Sequence, residues 1–337
     1  MAKISIISAG SWGTALALLL HNNGHQVTVC SENGEEIRML CENHEHLTKL
    51  PGVPLPADME FTTDMERALK GRDLLVMAKA SPYVRNTSRR LAHLIPEGQL
   101  IVNVAKGIEG DTLMTMSDII SQEIPSANVA VLSGPSHAEE VGRGLPTTIV
   151  AGAKDRETAL YVQNVFMSPV FRVYTSPDVL GIELGGSLKN VIALAAGTAD
   201  GLGYGDNTKA ALITRGIAEI TRLGIAMGAQ AETFYGLSGI GDLIVTCASV
   251  HSRNRKAGYL IGKGYTMQEA MDEVKMIVEG VHSARAGLEL SEKYGIETPI
   301  IRAVGDVLFE NKSPRLAVDE LMQRVKKDEF SPELWDG

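Results

Sequence analysis

Short apolar runs and helical patterns alternate through the first half of the chain. Most of the runs are continuously apolar, which is typical of parallel strands covered on both faces. They span residues 3–7, 26–30, 74–78, 100–104, 129–132 and 147–150, and a further run at 171–174 would complete a sheet. Helical patterns such as 14–20, 64–70 and 112–121 lie between them. The alternation predicts an α/β fold with a doubly wound parallel sheet.

Long helical patterns replace the strand-length runs after about Pro177. They cover residues 181–199, 209–227, 267–274, 283–294 and 315–325. In the last of them, Ser313 is a candidate cap and Pro314 stands at the first helical position. The side chains expected to face inward on this helix are Leu316, Leu321, Met322 and Val325. We therefore predict a Rossmann-type domain over residues 1–180 and an all-helical domain over residues 181–337.

Composition narrows the partners and the compartment. The 41 acidic residues outnumber the 32 basic ones, and a net charge of −9 disfavours nucleic acid and anionic membranes as general partners. Cys30, Cys41 and Cys247 form no CxxC pair, and no His, Cys and carboxylate cluster indicates a metal site. The chain opens on a strand pattern rather than a signal peptide, and no uninterrupted apolar run reaches about 18 residues. We expect a cytoplasmic protein without a membrane span.

The first strand runs into the segment SAGSWG at residues 8–13, and a helix follows at once. In this context the pattern GxGxxG binds the pyrophosphate of a dinucleotide. Gly10 would let the backbone approach the phosphates, Gly13 would let the helix pack on the sheet, and the helix N-terminus would supply N–H donors. Ser8 occupies the place of the first glycine, so the pattern is incomplete. An ordinary tight turn between strand and helix would show the same residues.

Glu32 follows the second strand, 22 residues after Gly10 (32 − 10 = 22). An acid near this spacing accepts hydrogen bonds from the ribose 2′-OH and repels a 2′-phosphate, which favours NAD over NADP. Because Glu35 and Glu36 are close by, a solvated loop acid explains Glu32 equally well.

Lys189 lies in the segment GIELGGSLKNVIALAA at 181–196, where its helical neighbours at three and four residues are all apolar or small. A surface lysine normally lies in a polar stripe, so this side chain is expected to project from a buried face. Desolvation would lower its pKa and let it exchange a proton near neutrality. A structural lysine whose ammonium reaches solvent is the alternative.

Two further segments carry polar groups suited to a phosphorylated substrate. In GLSGIGDLIVT at 236–246, Asp242 and Thr246 share one helix face, and the glycines favour close packing on another element, such as the Lys189 helix. Residues 252–254, Ser-Arg-Asn, offer one forked cation and two neutral groups that complement a phosphate. Considered alone, such a turn is more often a solvated surface feature.

Polar residues also follow three neighbouring predicted strands. Lys79 directly follows the run at 74–78, Lys106 follows the run at 100–104, and SGPS at 133–136 follows the next one. In open α/β sheets the ligand crevice lies beyond the carboxyl ends of the strands. We therefore expect Lys106 and the Gly134–Ser136 turn to face a ligand together.

Taken together, these segments resemble bacterial NAD(P)-dependent glycerol-3-phosphate dehydrogenases over essentially the whole chain. The matching segments are GSWGTALA at 10–17, AKGIEG at 105–110, SGPSHAEEV at 133–141, GIELGGSLKNVIALAAG at 181–197, KAALITRG at 209–216, GLSGIGDLIVTC at 236–247, SRNR at 252–255 and VEG at 278–280. Several long matches in the right order are far more specific than one glycine motif.

The resemblance implies NAD(P)-dependent interconversion of dihydroxyacetone phosphate and sn-glycerol 3-phosphate, a supply of glycerol phosphate for phospholipids, and a homodimer. It makes Lys189 the proton donor and acceptor, with Asp242, Thr246 and Lys106 completing the catalytic set. Around the substrate it places Lys106, Gly134, Ser136, Lys189, Asp242, Ser252, Arg253 and Asn254. On the cofactor it places Ser11, Trp12, Lys106, Ala138, Arg253, Ile277 and Glu279, which join Gly10, Gly13 and Glu32.

Three positions depart from the family pattern. Ser8 replaces a glycine, Lys79-Ala80-Ser81 replaces a Val-Pro-Ser-like turn and would bring a charge near the nicotinamide, and Glu32 stands where many members have an arginine. Two alternatives therefore stay open. One is another Rossmann and helical dehydrogenase that acts on a hydroxy acid, and the other is a nucleotide-binding homologue without catalysis.

Overall fold

Ten strands lie between residues 3 and 176, in a computed structural model that describes residues 1–326 and 328–329. They are β1 (Lys3–Ile7), β2 (Gln26–Cys30), β3 (Glu45–His46), β4 (Leu50–Pro54), β5 (Glu60–Thr62), β6 (Leu74–Met77), β7 (Leu100–Asn103), β8 (Asn128–Ser133), β9 (Thr147–Gly152) and β10 (Phe171–Ser176). Eight of them form one sheet in the order β10-β9-β8-β7-β6-β1-β2-β5, while β3 and β4 pair separately. The predicted doubly wound sheet is confirmed.

One pair in this sheet departs from the prediction of parallel strands. All neighbours are parallel except β8 and β9, which are antiparallel. A parallel pair needs a crossover connection, usually a full helix, to carry the chain back across the sheet. The segment between β8 and β9 contains only the five-residue helix α6 (Ala138–Gly142), so the chain returns in the opposite direction.

Helices cover both faces of the sheet. They are α1 (Ser11–Asn22), α2 (Gly34–Asn43), α3 (Met65–Leu69), α4 (Val84–Leu91), α5 (Met116–Glu123), α6 and α7 (Arg156–Phe166). Successive residues of a strand enter different cores: Ile6 and Val76 belong to one hydrophobic cluster, and Ile7 and Met77 to another. Burial on both faces is the reason that these strands are continuously apolar.

The rest of the described chain is helical, as predicted. Its helices are α8 (Val179–Leu202), α9 (Asp206–Ala226), α10 (Ala231–Phe234), α11 (Asp242–Ala248), α12 (Arg253–Gly262), α13 (Met267–Val274), α14 (Glu279–Tyr294), α15 (Pro299–Phe309) and α16 (Pro314–Met322). They share a hydrophobic core of their own, centred on the side chains of α8. Helix α8 is buried along most of its length because α9, α11, α12 and α14 pack around it.

Helix α8 is also long and apolar enough to cross a membrane by length and composition, and the bent run 231–262 passes the same test. In α8, 83% of the apolar window is buried against the protein's own residues, as in the core helices of many globular proteins. Glu183, Lys189 and Asp200 interrupt the apolar sequence of α8, so it contains no uninterrupted apolar run of that length.

Two helix predictions need correction. Helix α5 begins at Met116 rather than at 112, because Thr115 and Asp118 form a reciprocal capping box that starts the helix there. In α16, Ser313 is at the cap position but its side chain makes no capping hydrogen bond, while Pro314 is at the first turn as predicted.

The inward-facing set predicted for the last helix is wrong. Helix α16 ends at Met322, and Ala317 is its one buried residue. Leu316 is half exposed, Leu321 is partly exposed, and Met322 and Val325 are 81% and 85% exposed. The helix is short and packs mainly on α15, so only a narrow face is covered.

Candidate active site

The turn between β1 and α1 has the geometry of a phosphate-binding turn. A Cβ on Gly13 would lie 2.4 Å from the carbonyl oxygen of Ser8, whereas a Cβ on Gly10 would meet nothing closer than 3.8 Å. Gly13 therefore packs the helix on the strand, and Gly10 leaves the backbone open to an approaching group. No side chain caps α1, and its first turn holds no acid, so its first N–H groups are available to an anion.

Ser8 adopts an unusual backbone conformation in this turn. Its φ is +113°, a value that side-chain-bearing residues rarely adopt and glycine tolerates. Its hydroxyl accepts a long hydrogen bond from the N–H of Gly10, at 3.4 Å. The position that lacks the expected glycine is thus also the strained position of the turn. Trp12, in the first turn of α1, is partly buried and packs against the hydrophobic core beside the sheet.

Glu32 lies at the end of β2 and is held by two cations. Its carboxylate forms ion pairs with Lys79, at 3.6 Å, and with Arg90 of α4. Lys79 was expected to bring its charge near the nicotinamide. Instead its ammonium lies beside Glu32, at the end assigned to the adenosine ribose, because the side chain extends sideways from β6 towards β2.

Lys189 and Asp242 form a buried pair between α8 and α11. Only 6% of Lys189 and 1% of Asp242 is exposed, so the predicted burial of the lysine is confirmed. Lys189 Nζ donates to Asp242 Oδ1 and, at 2.7 Å, to Thr246 Oγ1. Asp242 and Thr246 share one face of α11, one turn apart, as their spacing predicted. The three side chains thus form one hydrogen-bonded unit.

Burial and neighbouring charges shift the pKa values of Lys189 and Asp242. Burial lowers the pKa of Lys189 to about 8, although the carboxylate of Asp242 opposes that shift. Burial by itself would raise the pKa of Asp242, but the ammonium groups of Lys106 and Lys189 outweigh it and hold the pKa below its ordinary value. The result is an ionised carboxylate beside an amine that exchanges its proton near neutral pH.

Lys106 joins this unit from the other domain. Its Nζ donates to Asp242 Oδ2 at 2.7 Å and to the carbonyl of Gly134 at 2.9 Å. Ser136 Oγ donates to the same carbonyl at 2.8 Å. The Lys106 loop and the Gly134–Ser136 turn therefore meet beyond the strand ends, as their positions after neighbouring strands predicted.

Glycines on α8 let the neighbouring elements approach closely. A Cβ on Gly185 would lie 2.7 Å from the carbonyl oxygen of Ser238, and a Cβ on Gly186 would lie 2.9 Å from Ser133 Oγ and 3.5 Å from Lys106 Cγ. The glycine-rich segment before α11 therefore packs on the Lys189 helix, as the sequence indicated. Gly186 gives the stem of Lys106 its path towards Asp242.

The segment Ser252–Asn254 forms the start of α12 beside this unit. Ser252 caps the helix by accepting from the N–H of Arg255, and both Ser252 and Asn254 are buried. Asn254 Nδ2 donates at 2.9 Å to Asn190 Oδ1, next to Lys189 in the chain. Arg253 is exposed and donates to the carbonyl of Ile277 at 3.2 Å.

Glu279 connects the helical domain to the loop after β6. It accepts hydrogen bonds from the N–H of Ser81, at 3.0 Å, and from the Ser81 hydroxyl. A Cβ on Gly107 would collide with Ser81, so the loop after β7 lies against the same contact. Ala138 is buried at the first position of α6, directly after the Gly134–Ser136 turn.

The structure thus brings most of the predicted residues into two groups. The first is the nucleotide turn, with Gly10, Ser11, Trp12 and Gly13, and the second is the Lys106–Asp242–Lys189 unit with its surroundings. Glu32 lies apart from the second group, in its own ion pairs. In the described ranges 1–326 and 328–329, no three His, Cys, Asp or Glu side chains cluster in a way that could hold a metal ion.

Sequence analysis missed four polar residues around this site. Asn190 accepts a hydrogen bond from Asn254, and the Ser81 hydroxyl donates one to Glu279. His137 has a buried and unpartnered Nε2, and Glu183 is buried between the domains. Burial lowers the pKa of His137, and the charge of Lys189 adds to that effect. A signal for Glu183 was present, since it is an isolated charge in the same apolar helix as Lys189.

Comparison with known proteins shows the family to which the chain is similar. Models of the NAD-dependent glycerol-3-phosphate dehydrogenase N-terminus and C-terminus match residues 3–159 and 178–319. A glycerol-3-phosphate dehydrogenase (NAD(P)+) of Agathobacter rectalis is 64% identical over 335 residues, which cover 99% of this chain and 100% of the relative. One from Fusobacterium nucleatum is 58% identical, with coverages of 98% and 99%.

A solved structure supports the same relationship. The crystal structure of the glycerol-3-phosphate dehydrogenase of Coxiella burnetii matches with a TM-score of 0.92 and 34% identity, covering 96% of this chain and 99% of that chain. Sequence models, close relatives and a solved structure therefore agree over nearly the full length of the protein. The chain belongs to the NAD-dependent glycerol-3-phosphate dehydrogenase family.

Proposed function

We propose that this protein catalyses the reversible interconversion of dihydroxyacetone phosphate and sn-glycerol 3-phosphate with NAD or NADP. The observation that carries the proposal is the buried Lys189, paired with Asp242 and joined through it to Lys106. This unit lies beyond the strand ends, and the N-terminus of α1, which is uncapped and suited to a pyrophosphate, follows β1 of the same sheet. Family membership supports the choice of substrate.

The residues of the nucleotide turn fit a dinucleotide. Gly10 leaves room for the pyrophosphate, and the N–H groups of Ser11, Trp12 and Gly13 are the donors that would hold it. Ala138, Ile277 and Glu279 are proposed to line the nicotinamide end, together with Lys106 and Arg253. When bound, the cofactor supplies or accepts the hydride.

Lys189 is the proposed proton donor and acceptor. In the reductive direction its ammonium donates a proton to the oxygen at C2 of the substrate and stabilises the negative charge that develops there. Asp242 orients Lys189 through their ion pair, and Thr246 holds the amine from a second side. Lys106 adds a second cation on the opposite oxygen of Asp242, within reach of the same substrate.

The start of α12 is the proposed phosphate site. Arg253 offers a forked cation, while Ser252 and Asn254 are buried polar groups, and Gly134 and Ser136 approach from the other domain. Anchoring the non-reacting phosphate fixes the carbonyl against Lys189, so substrates without the phosphate should lose turnover as well as affinity. This dependence separates the proposal from a dehydrogenase of hydroxy acids.

Glu32 is proposed to make NAD the preferred cofactor, with NADP also accepted. An acid at this position accepts hydrogen bonds from the ribose 2′-OH and repels a 2′-phosphate. Lys79 and Arg90 pair with the carboxylate and reduce that repulsion. The ratio of catalytic efficiencies with NADH and NADPH tests this, and a clear NADPH preference would contradict it.

We further propose the biological setting that the family suggests. The enzyme would work in the cytoplasm as a homodimer, without nucleic acid or membrane, and supply glycerol phosphate for phospholipid synthesis. The exposed apolar side chains of Met322 and Val325 support a contact surface with a second subunit. We also propose to divide the chain at residues 1–180 and 181–337, within two residues of the start of α8 at Val179 and after the last strand ends at Ser176. Sedimentation equilibrium tests the homodimer.

The test of the reaction is oxidation of NADH and NADPH by dihydroxyacetone phosphate, followed by the loss of reduced-nicotinamide absorbance. We expect turnover with the wild type and a loss of at least about 100-fold in Lys189→Met, which keeps the length of the side chain and removes the amine. Stoichiometric NADH binding without turnover of the folded wild type would instead favour the non-catalytic homologue.

A further inference from the structure

Glu183 lies on the first turns of α8 and is only 5% exposed. The hydrogen bonds of its carboxylate reach into the Rossmann-type domain. Oε1 accepts from the N–H of Ser117 at 3.0 Å and from Asn103 Nδ2 at 3.1 Å, and Oε2 accepts from the Ser117 hydroxyl. Ser117 begins α5 and Asn103 ends β7, so one carboxylate connects α8 to two elements of the other domain.

Asn103 carries this connection to the Lys106 loop. Its Oδ1 accepts from the N–H of Ala105 at 3.0 Å, and its Nδ2 donates to the carbonyl of Ala105 at 3.1 Å. Ala105 directly precedes Lys106, so the amide of Asn103 fixes the backbone from which Lys106 extends. The same Nδ2 donates to Glu183. A shift of Glu183 would therefore reach the Lys106 loop through a single side chain.

The connection closes a ring through the proposed catalytic groups. Lys189 is six residues beyond Glu183 on the same helix, about 9 Å along its axis. Lys106 and Lys189 both donate to Asp242, and Gly186 lies against the stem of Lys106. Glu183 thus binds the strand end from which the Lys106 loop starts, Asp242 binds Lys106 itself, and Ile108 adds a hydrophobic contact of the same loop with the helical core.

Burying a carboxylate away from water is energetically unfavourable unless hydrogen bonds compensate, and an apolar residue of similar volume would pack without that desolvation. Glu183 forms no ion pair among the described residues, and three donors converge on it. Burial raises the pKa of Glu183 to about 7, while the Ser117 and Thr115 hydrogen bonds oppose the rise and the nearby Asp118 adds to it.

We infer that Glu183 is a positioning residue for the proposed reaction. It holds the Lys106 loop in register with the Lys189 helix across the domain boundary, so that both ammonium groups face the same substrate oxygen. It touches neither substrate nor cofactor, and it acts through Asn103 and the backbone of Ala105. The inference rests on the roles proposed above for Lys106 and Lys189.

The test compares Glu183→Gln with Glu219→Gln. Glu219 is a matched control, since it is also a buried carboxyl whose pKa burial raises to about 7. Its partners are the N–H groups of Ile300 and Ile301, inside the helical domain. In both variants we would measure kcat and KM for dihydroxyacetone phosphate, the pH profile of kcat, and the dissociation constant of NADH.

In Glu183→Gln, the amide oxygen can still accept from the Ser117 N–H and from Asn103, but it is a weaker acceptor than a carboxylate, and the amide N–H₂ donates where Oε2 accepted from the Ser117 hydroxyl. We expect kcat/KM to fall by about tenfold, because displacements near 1 Å at a site cost that much or more. The limb of the pH profile assigned to Lys189 should move, since its distance from Lys106 changes. The dissociation constant of NADH should change by less than kcat/KM, because only the Lys106 contact at the nicotinamide end is affected and the nucleotide turn is untouched. Glu219→Gln should match the wild type in all of these.

A second pair of measurements keeps the inference independent of folding and of turnover. Ser117→Ala removes one donor and leaves the backbone N–H, so it should shift the same parameters by about threefold. Hydrogen exchange of the amides at 104–110 should speed up in Glu183→Gln and not in Glu219→Gln, and this needs no activity. Wild-type protein without turnover would overturn the proposed function only. Unchanged kinetics, pH profile and loop exchange in Glu183→Gln would overturn the inference.

Discussion

At the scale of single residues, burial and one carboxylate decide the chemistry of Lys189. An exposed lysine stays protonated far above neutrality, whereas burial brings the pKa of Lys189 to about 8. Asp242 limits that shift and Thr246 fixes the direction of the amine. The same side chain can therefore give up a proton in one direction of the reaction and take it back in the other.

The pH dependence of turnover follows from this pKa. Reduction of dihydroxyacetone phosphate requires protonated Lys189, so kcat should be steady below pH 8 and fall by about tenfold per pH unit above it. Oxidation of sn-glycerol 3-phosphate requires the neutral amine and should show the opposite slope. Rate profiles from pH 6 to 10 in both directions, at saturating substrate, measure this. Parallel slopes in the two directions would contradict the assignment of Lys189.

Ser8 gives a second prediction at this scale. Its φ of +113° costs a residue with a side chain about 1–2 kcal/mol relative to glycine. Ser8→Gly should therefore be more stable than Ser8→Ala by about 1 kcal/mol, after the extra chain entropy of unfolded glycine is counted. Urea unfolding of both variants measures the difference. Equal stability would show that the turn carries no strain at this position.

At the scale of elements, the helical domain depends on the close contact of α8 with α12. A Cβ on Gly197 would lie 2.0 Å from the carbonyl oxygen of Arg255, and a Cβ on Gly258 would lie 2.1 Å from that of Leu194. Backbone atoms, which cannot move aside as side chains do, fill these spaces. The glycines therefore set the distance between the helix of Lys189 and the helix that begins with Ser252–Asn254.

Gly258→Ala should consequently affect both stability and substrate binding. Overpacking of this kind costs about 1–3 kcal/mol, and α12 has to move away from α8 to relieve it. That movement displaces Arg253 and Asn254, so KM for dihydroxyacetone phosphate should rise. Gly34→Ala is the control, because a Cβ there meets nothing within 4 Å. Thermal unfolding and KM would be compared, and a Gly258→Ala enzyme that matched Gly34→Ala would refute the argument.

At the scale of the whole molecule, two buried carboxyl groups make stability depend on pH. Glu183 lies between the domains, and Glu219 holds the first turn of α15 by accepting from the N–H groups of Ile300 and Ile301. Burial raises the pKa of each to about 7, and hydrogen bonds only partly oppose it. Between pH 4.5 and about 7, the folded protein therefore retains two protons that the unfolded chain has already released.

The comparison of wild type with Glu219→Gln isolates one of these groups. Because the folded pKa of Glu219 is raised from 4.5 to about 7, its contribution to stability is complete below pH 4.5 and is lost as the pH rises through 7. The wild type should lose about 3 kcal/mol relative to the variant across this window. Denaturant unfolding at pH 5, 6, 7 and 8 measures it. A constant difference would mean that Glu219 titrates normally.

The sequence by itself determined much of the architecture and the identity of most proposed site residues. Continuous apolar runs gave the strands because both faces of the sheet are buried, and the apolar stripe around Lys189 gave its burial. Both signals are local, since they depend on which residues recur along one element. The family segments added the residues on loops, which no periodicity could have supplied.

Only the tertiary structure decided how these elements meet. It showed that β9 runs antiparallel to β8, that Lys79 extends to Glu32, and that the apolar side chains of α16 lie exposed. It also joined Glu183 to Asn103, and Lys106 to Asp242, across 80 and 136 residues of chain. Such contacts depend on the path of the backbone between distant elements, and the pattern of residues along one element does not encode that path.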